Sequence, residues 1–268
     1  MGIIISFVSV KGGVGKTTLA LETASALAND FSKKVLLVDA NFSAPNIGLY
    51  LDMKKSLNLQ NVLNGEEGLH AIIYESYGID IIPSSMDFSG EIDHYKLKKL
   101  LDKYKSRYDF IIIDSSPHQS EMLPAILAAD RVFVVTTPDR VTMITSLKAA
   151  ELAKKNNVNV AGIIINKIKD SSYEIDLKEI EKTMNFPVLA RIKENKKILE
   201  AGHFKVPLTV YDGLNVVSKE VKRFASALAG EKEKAGFFSK LFSSRHFKKE
   251  KVNREMYRQT FYESQIKI

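Results

Sequence analysis

Between residues 11 and 18 the chain reads Lys11-Gly12-Gly13-Val14-Gly15-Lys16-Thr17-Thr18, directly after the apolar run Ile3–Val10. Three glycines in four positions interrupt the strand, and a helical pattern, Thr18–Asn29, follows them. A loop between strand and helix is expected. Its glycines let successive backbone N–H groups turn inward as a nest for phosphate oxygens, and the helix start adds the positive end of its dipole. Lys16 is placed to reach β- and γ-phosphates, and the Thr17 hydroxyl to ligate Mg²⁺. A plain glycine-rich turn does not explain Lys16 and Thr17 at this spacing. The loop is therefore read as a nucleotide site formed by Gly12, Gly13, Val14, Gly15, Lys16, Thr17 and Thr18.

The remaining apolar runs extend this into a fold. Lys34–Asp39, Ile79–Pro83, Phe110–Asp114, Val132–Thr136, Val160–Asn166 and Pro187–Arg191 are near-continuous rather than alternating, as expected for strands buried on both faces of a parallel sheet. Amphipathic stretches at Glu91–Lys105, Met143–Asn156, Ile175–Met184 and Leu214–Ala229 separate or follow them. Strand–helix alternation of this kind predicts an α/β domain with a doubly wound, mostly parallel sheet over residues 1–230. The absence of cysteine excludes a disulfide framework, a zinc knuckle, an iron–sulfur carrier and a thiol nucleophile.

Lys-Gly-Gly-Val-Gly-Lys-Thr-Thr resembles the deviant Walker motif of the MinD/ParA family of P-loop ATPases, and the likeness extends over nearly all of residues 1–229. It implies binding of ATP and ADP with Mg²⁺, ATP hydrolysis, and a homodimer that sandwiches two nucleotides. In that family the extra lysine, here Lys11, reaches the partner's nucleotide. Val35–Asp39 with the following Ala40-Asn41-Phe42-Ser43-Ala44-Pro45-Asn46 looks like switch I. Phe110–Asp114 with Ser115-Ser116-Pro117 looks like the Walker B strand and switch II. The resemblance implies that Asp39 and Asp114 join Thr17 around the metal, Asp114 acting through water, which suits a hard cation that keeps its hydration. Asn166, ending another strand, matches the adenine-reading position.

One position departs from the family pattern. Switch I usually carries Asp-x-Asp, whereas this chain has Asp39-Ala40-Asn41. An amide accepts a hydrogen bond from water but cannot take its proton. Because phosphoryl transfer depends mainly on positioning and charge stabilisation, slow hydrolysis is expected, with Lys11, Lys16 and Asn41 as the catalytic set.

The formal net charge of +7 sits mostly in the tail: residues 231–268 hold ten Lys+Arg against five Asp+Glu, leaving 29 against 27 for the rest. On a helix over about 234–244, Phe237, Phe238, Leu241 and Phe242 form one stripe flanked by Lys234 and Lys240. Such a segment suits an interface of acidic lipid and resembles the membrane-targeting helix of MinD. Residues 245–268 mix aromatic and basic side chains, and a longer membrane helix, a partner-binding segment and a solvated tail all remain open for them. The start of the chain satisfies the spacing for myristoylation through Gly2 and Ser6, but a buried strand is the expected reading. No apolar run is long enough to span a bilayer.

These readings converge on an ATP-dependent dimerising switch. It would be cytoplasmic and peripheral to the inner face of the membrane, positioning a division, motility or chemotaxis machinery with a protein activator or cargo still to be identified. The competing reading is a DNA-partitioning ATPase binding nonspecific DNA. The near-neutral domain and the apolar stripe in the tail disfavour it.

Overall fold

The computed structural model describes residues 2–53, 57–85, 93–169 and 172–231. The proposed membrane helix and the extension after it lie outside the described residues, as does the expected helix start at Glu91.

In chain order the elements are β1 (Ile3–Val8), α1 (Lys16–Phe31), β2 (Val35–Ala40), α2 (Ile47–Tyr50) and α3 (Leu59–Leu63). A 3₁₀ turn, Leu69–Ile72, leads to β3 (Tyr74–Ser76), β4 (Ile79–Ile82), α4 (Lys96–Tyr104), β5 (Phe110–Ser115), α5 (Gln119–Ala128), β6 (Arg131–Thr136) and α6 (Arg140–Lys155). The chain then forms β7 (Asn159–Ile168), α7 (Leu177–Met184), β8 (Val188–Lys193), α8 (Lys197–His203), α9 (Leu208–Tyr211) and α10 (Val216–Ala229). The strands make one sheet in the order β3-β4-β2-β5-β1-β6-β7-β8. Every pairing is parallel except that of the edge strand β3 with β4.

Each central strand divides its side chains between two cores, as period-2 geometry requires. Ile4 and Val8 of β1 face a core shared with α4, α5, α6 and α7; Ile5 and Phe7 face one shared with α1, α8, α9 and α10. In the second core Phe133 meets Phe224 edge to face at 5.1 Å between ring centroids, tying β6 to α10. This double burial is why the strands read as unbroken apolar runs.

Each of the helices and strands expected over residues 1–230 is present and differs only at its ends. β1 stops at Val8, because the loop backbone begins to turn there, and α1 starts two residues early, at Lys16. Asp176 and Asn215 cap α7 and α10 through side-chain oxygens that accept from backbone N–H groups, which moves those helix starts past Ile175 and Leu214. β7 runs on to Ile168 with Lys167 in the left-handed region at φ 57°. Strand β3, the short helices α2, α3, α8 and α9, and the longer α5 are not expected from the sequence pattern. α5 carries Pro124 inside it, a residue that breaks most helices, and β3 is three residues long.

Gly2 settles the start of the chain. Its N–H donates to the Lys105 carbonyl at 2.9 Å, and a Cβ there would lie 2.1 Å from the Tyr108 carbonyl oxygen. Gly2 precedes β1 and is buried against the turn that leads into β5. Gly2→Ala should cost about 1–3 kcal/mol through forced backbone movement. Thermal unfolding would register this as a Tm lower by several degrees, and an unchanged Tm would contradict the seating.

Candidate nucleotide site

In a parallel sheet all strands end on the same side, and ligands bind in the crevice outside those ends. The sequence-derived site residues converge there. β1 delivers the glycine-rich loop, β2 ends in Asp39, β5 in Asp114, and β7 carries Asn166 near its end.

The loop needs glycine at two positions for conformational reasons. Gly13 has φ 76° and Gly15, the residue capping α1, has φ 98°. A Cβ on Gly15 would also lie 2.2 Å from the Asn166 amide nitrogen. That nitrogen donates to the Val14 carbonyl at 2.7 Å, so Asn166 braces the loop from behind across more than 150 residues of sequence. Val14 and Lys16 are buried, Thr17 and Thr18 are half-buried, and Lys11, Gly12 and Gly13 are exposed. The Lys16 ammonium points back over the loop to the Lys11 carbonyl at 3.5 Å. Burial pulls its pKa down and the Asp114 charge pushes it back up.

Asp114 is fully buried. One carboxylate oxygen accepts from the Thr17 hydroxyl at 2.6 Å, and the other has no hydrogen-bond partner. Asp39 is its parallel-register neighbour on β2. Burial raises the Asp114 pKa to about 8, with the Asp39 charge adding to the rise; burial likewise raises Asp39 to about 6. A buried pair of carboxylates with an orphaned oxygen beside a threonine hydroxyl is the donor set a hard divalent cation requires. Mg²⁺ fits, with Thr17 and Asp114 as the holding groups.

Asp39 has a second task. Its oxygens accept from the N–H groups of Asn41 at 3.1 Å, Asn46 at 3.0 Å and Ile47 at 3.0 Å, pinning the whole segment after β2. As placed, Asp39 offers the metal its charge more than a free lone pair. Asn41 is buried; its amide nitrogen donates to the Ala44 carbonyl at 2.5 Å, while its carbonyl oxygen has no partner. The side chain therefore carries an unpaired acceptor that is buried.

Two contacts went unread in the sequence. Glu121, in the first turn of α5, accepts from the Ser43 hydroxyl at 2.7 Å and the Ser43 N–H at 3.1 Å, joining the segment after β2 to the one after β5. Glu22, buried in α1, accepts from the N–H groups of Leu208 and Thr209. An acidic residue in a helix's first turn normally signals nothing beyond the dipole, and no local pattern shows partners 78 or 186 residues away.

A parallel sheet with a phosphate loop, a buried threonine–carboxylate pair and an inward lysine defines a P-loop nucleotide-binding protein. Family-level comparison agrees: the AAA domain model matches residues 2–148, and a second AAA domain model matches residues 115–201. An uncharacterised ATP-binding protein of Methanocaldococcus jannaschii is 30% identical over 240 residues, covering 88% of this chain and 90% of the relative. Among solved structures, MinD of Pyrococcus horikoshii, complexed with Mg-ADP, superposes with a TM-score of 0.79 at 29% identity, covering 84% of this chain and 95% of that one. The cell division ATPase MinD of Pyrococcus furiosus gives 0.79 at 30% identity, covering 84% and 98%. The chain belongs to the MinD/ParA family of P-loop ATPases.

The raised carboxylate pKa values make stability depend on pH. Between the unfolded Asp value near 4 and the folded value of about 8 for Asp114, the folded state binds more protons than the unfolded one. Stability therefore falls as pH rises through this window and levels off above it. Tm of the nucleotide-free protein should decline from pH 5 to pH 8, with a much flatter profile in Asp114→Asn. Equal slopes for the two proteins would show that Asp114 is not the group responsible.

Proposed function

We propose that this protein is an ATP-dependent dimerising switch that hydrolyses ATP slowly and attaches reversibly to an acidic membrane surface. Lys11 carries the reading. It is exposed, on a loop whose Lys16 and Val14 are buried and whose Thr17 is bonded inward to Asp114. A cation turned outward from a phosphate-binding loop has as its complement the phosphates of a nucleotide held by a second copy.

Within one protomer, Gly12, Gly13, Gly15 and Thr18 shape the loop, and Lys16 offsets charge on the β- and γ-phosphates. Bound Mg²⁺ would supply further neutralisation of the phosphate charge, held by Thr17 and Asp114 with the Asp39 charge alongside. The unpaired carbonyl oxygen of Asn41 accepts a hydrogen bond from a water and orients it. With no carboxylate to take the proton, positioning and charge stabilisation carry the rate. Adenine would lie against Asn166, beside a cavity of about 420 Å³ lined in part by Thr137, Pro138 and Lys167.

A spatial role is supported by relatives named as septum site-determining proteins, among them MinD of Thermotoga maritima at 27% identity. Action through a protein partner is supported by the Aquifex aeolicus MinC:MinD complex, whose MinD shares this fold. Among the described residues no helix is long and apolar enough to cross a membrane. Attachment would rest on Phe237, Phe238, Lys240, Leu241 and Phe242, weak in one tail and stronger in a pair, on the cytoplasmic face of the membrane.

Size-exclusion chromatography with ADP and with ATP tests the switch. ATP should shift the wild type to a dimer and leave Lys11→Ala a monomer; a wild type that does not shift overturns the mechanism. In single-turnover hydrolysis Asn41→Asp should be faster than wild type. No increase would remove Asn41 from the water-positioning role.

A further inference from the structure

The parallel sheet that gathers the nucleotide residues at one end leaves a second, chemically different site at the other. A cavity of about 470 Å³ opens at the N-terminal edge of β1 and β5, lined by Lys33, Lys34, Arg107, Tyr108, Asp109 and Ala229 among others. Three cations line it against one carboxylate. Asp109 is already engaged, accepting from the Lys34 N–H at 2.8 Å. Lys34 and Arg107 are exposed and form no ion pair with a described residue; the Lys34 ammonium lies 5.4 Å from the Tyr108 ring centroid. Arg107 is steadied by the Tyr104 ring at 4.9 Å and by His70 at 2.9 Å. Neither head is neutralised by a carboxylate of a described residue; the Lys34 head lies over the cavity residue Tyr108, and the Arg107 head rests on Tyr104 and His70, next to the lining residues.

The chain also leaves the domain at this cavity. Glu231, the first residue of the basic tail, pairs with Lys33 at 2.5 Å, and its N–H donates to the Ser226 carbonyl at 3.0 Å. The root of the tail is fixed against one wall of the cavity.

We propose that this cavity is a docking site for the phosphate of an acidic phospholipid headgroup, with Lys34 and Arg107 as its ligands. The inference rests on the membrane reading above and deepens it: the domain itself, not only the tail, touches the lipid surface. Two exposed cations complement a headgroup phosphate, and a tail anchored in lipid would hold the cavity within reach of that surface.

The test is flotation of the full chain with ATP and Mg²⁺ on vesicles of phosphatidylglycerol and phosphatidylcholine, with pure phosphatidylcholine as reference. Each cation near an acidic surface contributes about fivefold in affinity, so Lys34→Gln with Arg107→Gln should bind about 25-fold more weakly. ATP affinity should not change, and Tm should fall by no more than about the degree or two that loss of the exposed Arg107 contacts with His70 and Tyr104 implies. Lys34→Arg with Arg107→Lys should retain binding, and the equally charge-reduced pair Lys148→Gln with Lys178→Gln should stay within about twofold of wild type.

Vesicle binding by the first variant equal to wild type overturns the cavity proposal while leaving the membrane reading standing. Equal losses in the control pair overturn it in favour of diffuse charge. A wild type that ignores phosphatidylglycerol overturns both readings. A variant that loses duplex DNA binding but keeps vesicle binding reassigns the surface to nucleic acid.

Discussion

The hydrogen bond from Thr17 to Asp114 is the interaction on which the site depends. It ties the first turn of α1 to the end of β5 at 2.6 Å, and in doing so closes the phosphate loop over the central strands. The bond is made in a place where a carboxylate is costly, fully buried and in register with a second one. Half of that cost is left standing, because the other Asp114 oxygen has no partner. A polar group abandoned inside a core is rare, and at functional sites it marks where a ligand completes the structure. The buried carboxylate pair is thus an incompletely satisfied arrangement that a divalent cation would relieve.

From there the constraint spreads through the two segments beyond β2 and β5. Asp39 gathers three N–H groups of the first segment, so the same residue that crowds Asp114 also dictates where Asn41 lies. Glu121 reaches across from α5 to hold Ser43 in that segment. The segments after β2 and β5 are joined by shared hydrogen bonds, not by proximity alone.

The glycine loop, the parallel sheet and the gathering of Lys16, Thr17, Asp39, Asn41, Asp114 and Asn166 at one end of it were legible because each rests on a local pattern. Glycine spacing, apolar runs and strand-terminal polar residues survive in one dimension. What escaped rests on long-range or contradictory signals. Pro124 hid α5, and β3 is too short to carry a period. Asn166 was expected to end its strand and lies two residues short of that end, and its grip on Val14 joins residues that share no local pattern. The same holds for Glu22 and Glu121, whose charges look like solvated helix faces until the fold brings their donors to them. The charge count located the basic surplus in the tail, yet it averaged away the small cationic cavity within a nearly neutral domain.

Helix α1 runs from the cap at Gly15 to Phe31, and Ser32 and Lys33 follow at once. Its sixteen residues include neither glycine nor proline, so it lacks the residues at which helices commonly kink. At 1.5 Å per residue it spans about 24 Å, the full depth of the sheet. One end is the floor of the phosphate loop, and the other holds the lysine paired with the root of the tail. The helix is a strut without a glycine or proline hinge between the phosphate loop and the lysine that pairs with Glu231, so the two ends of the sheet are linked through one unbroken element.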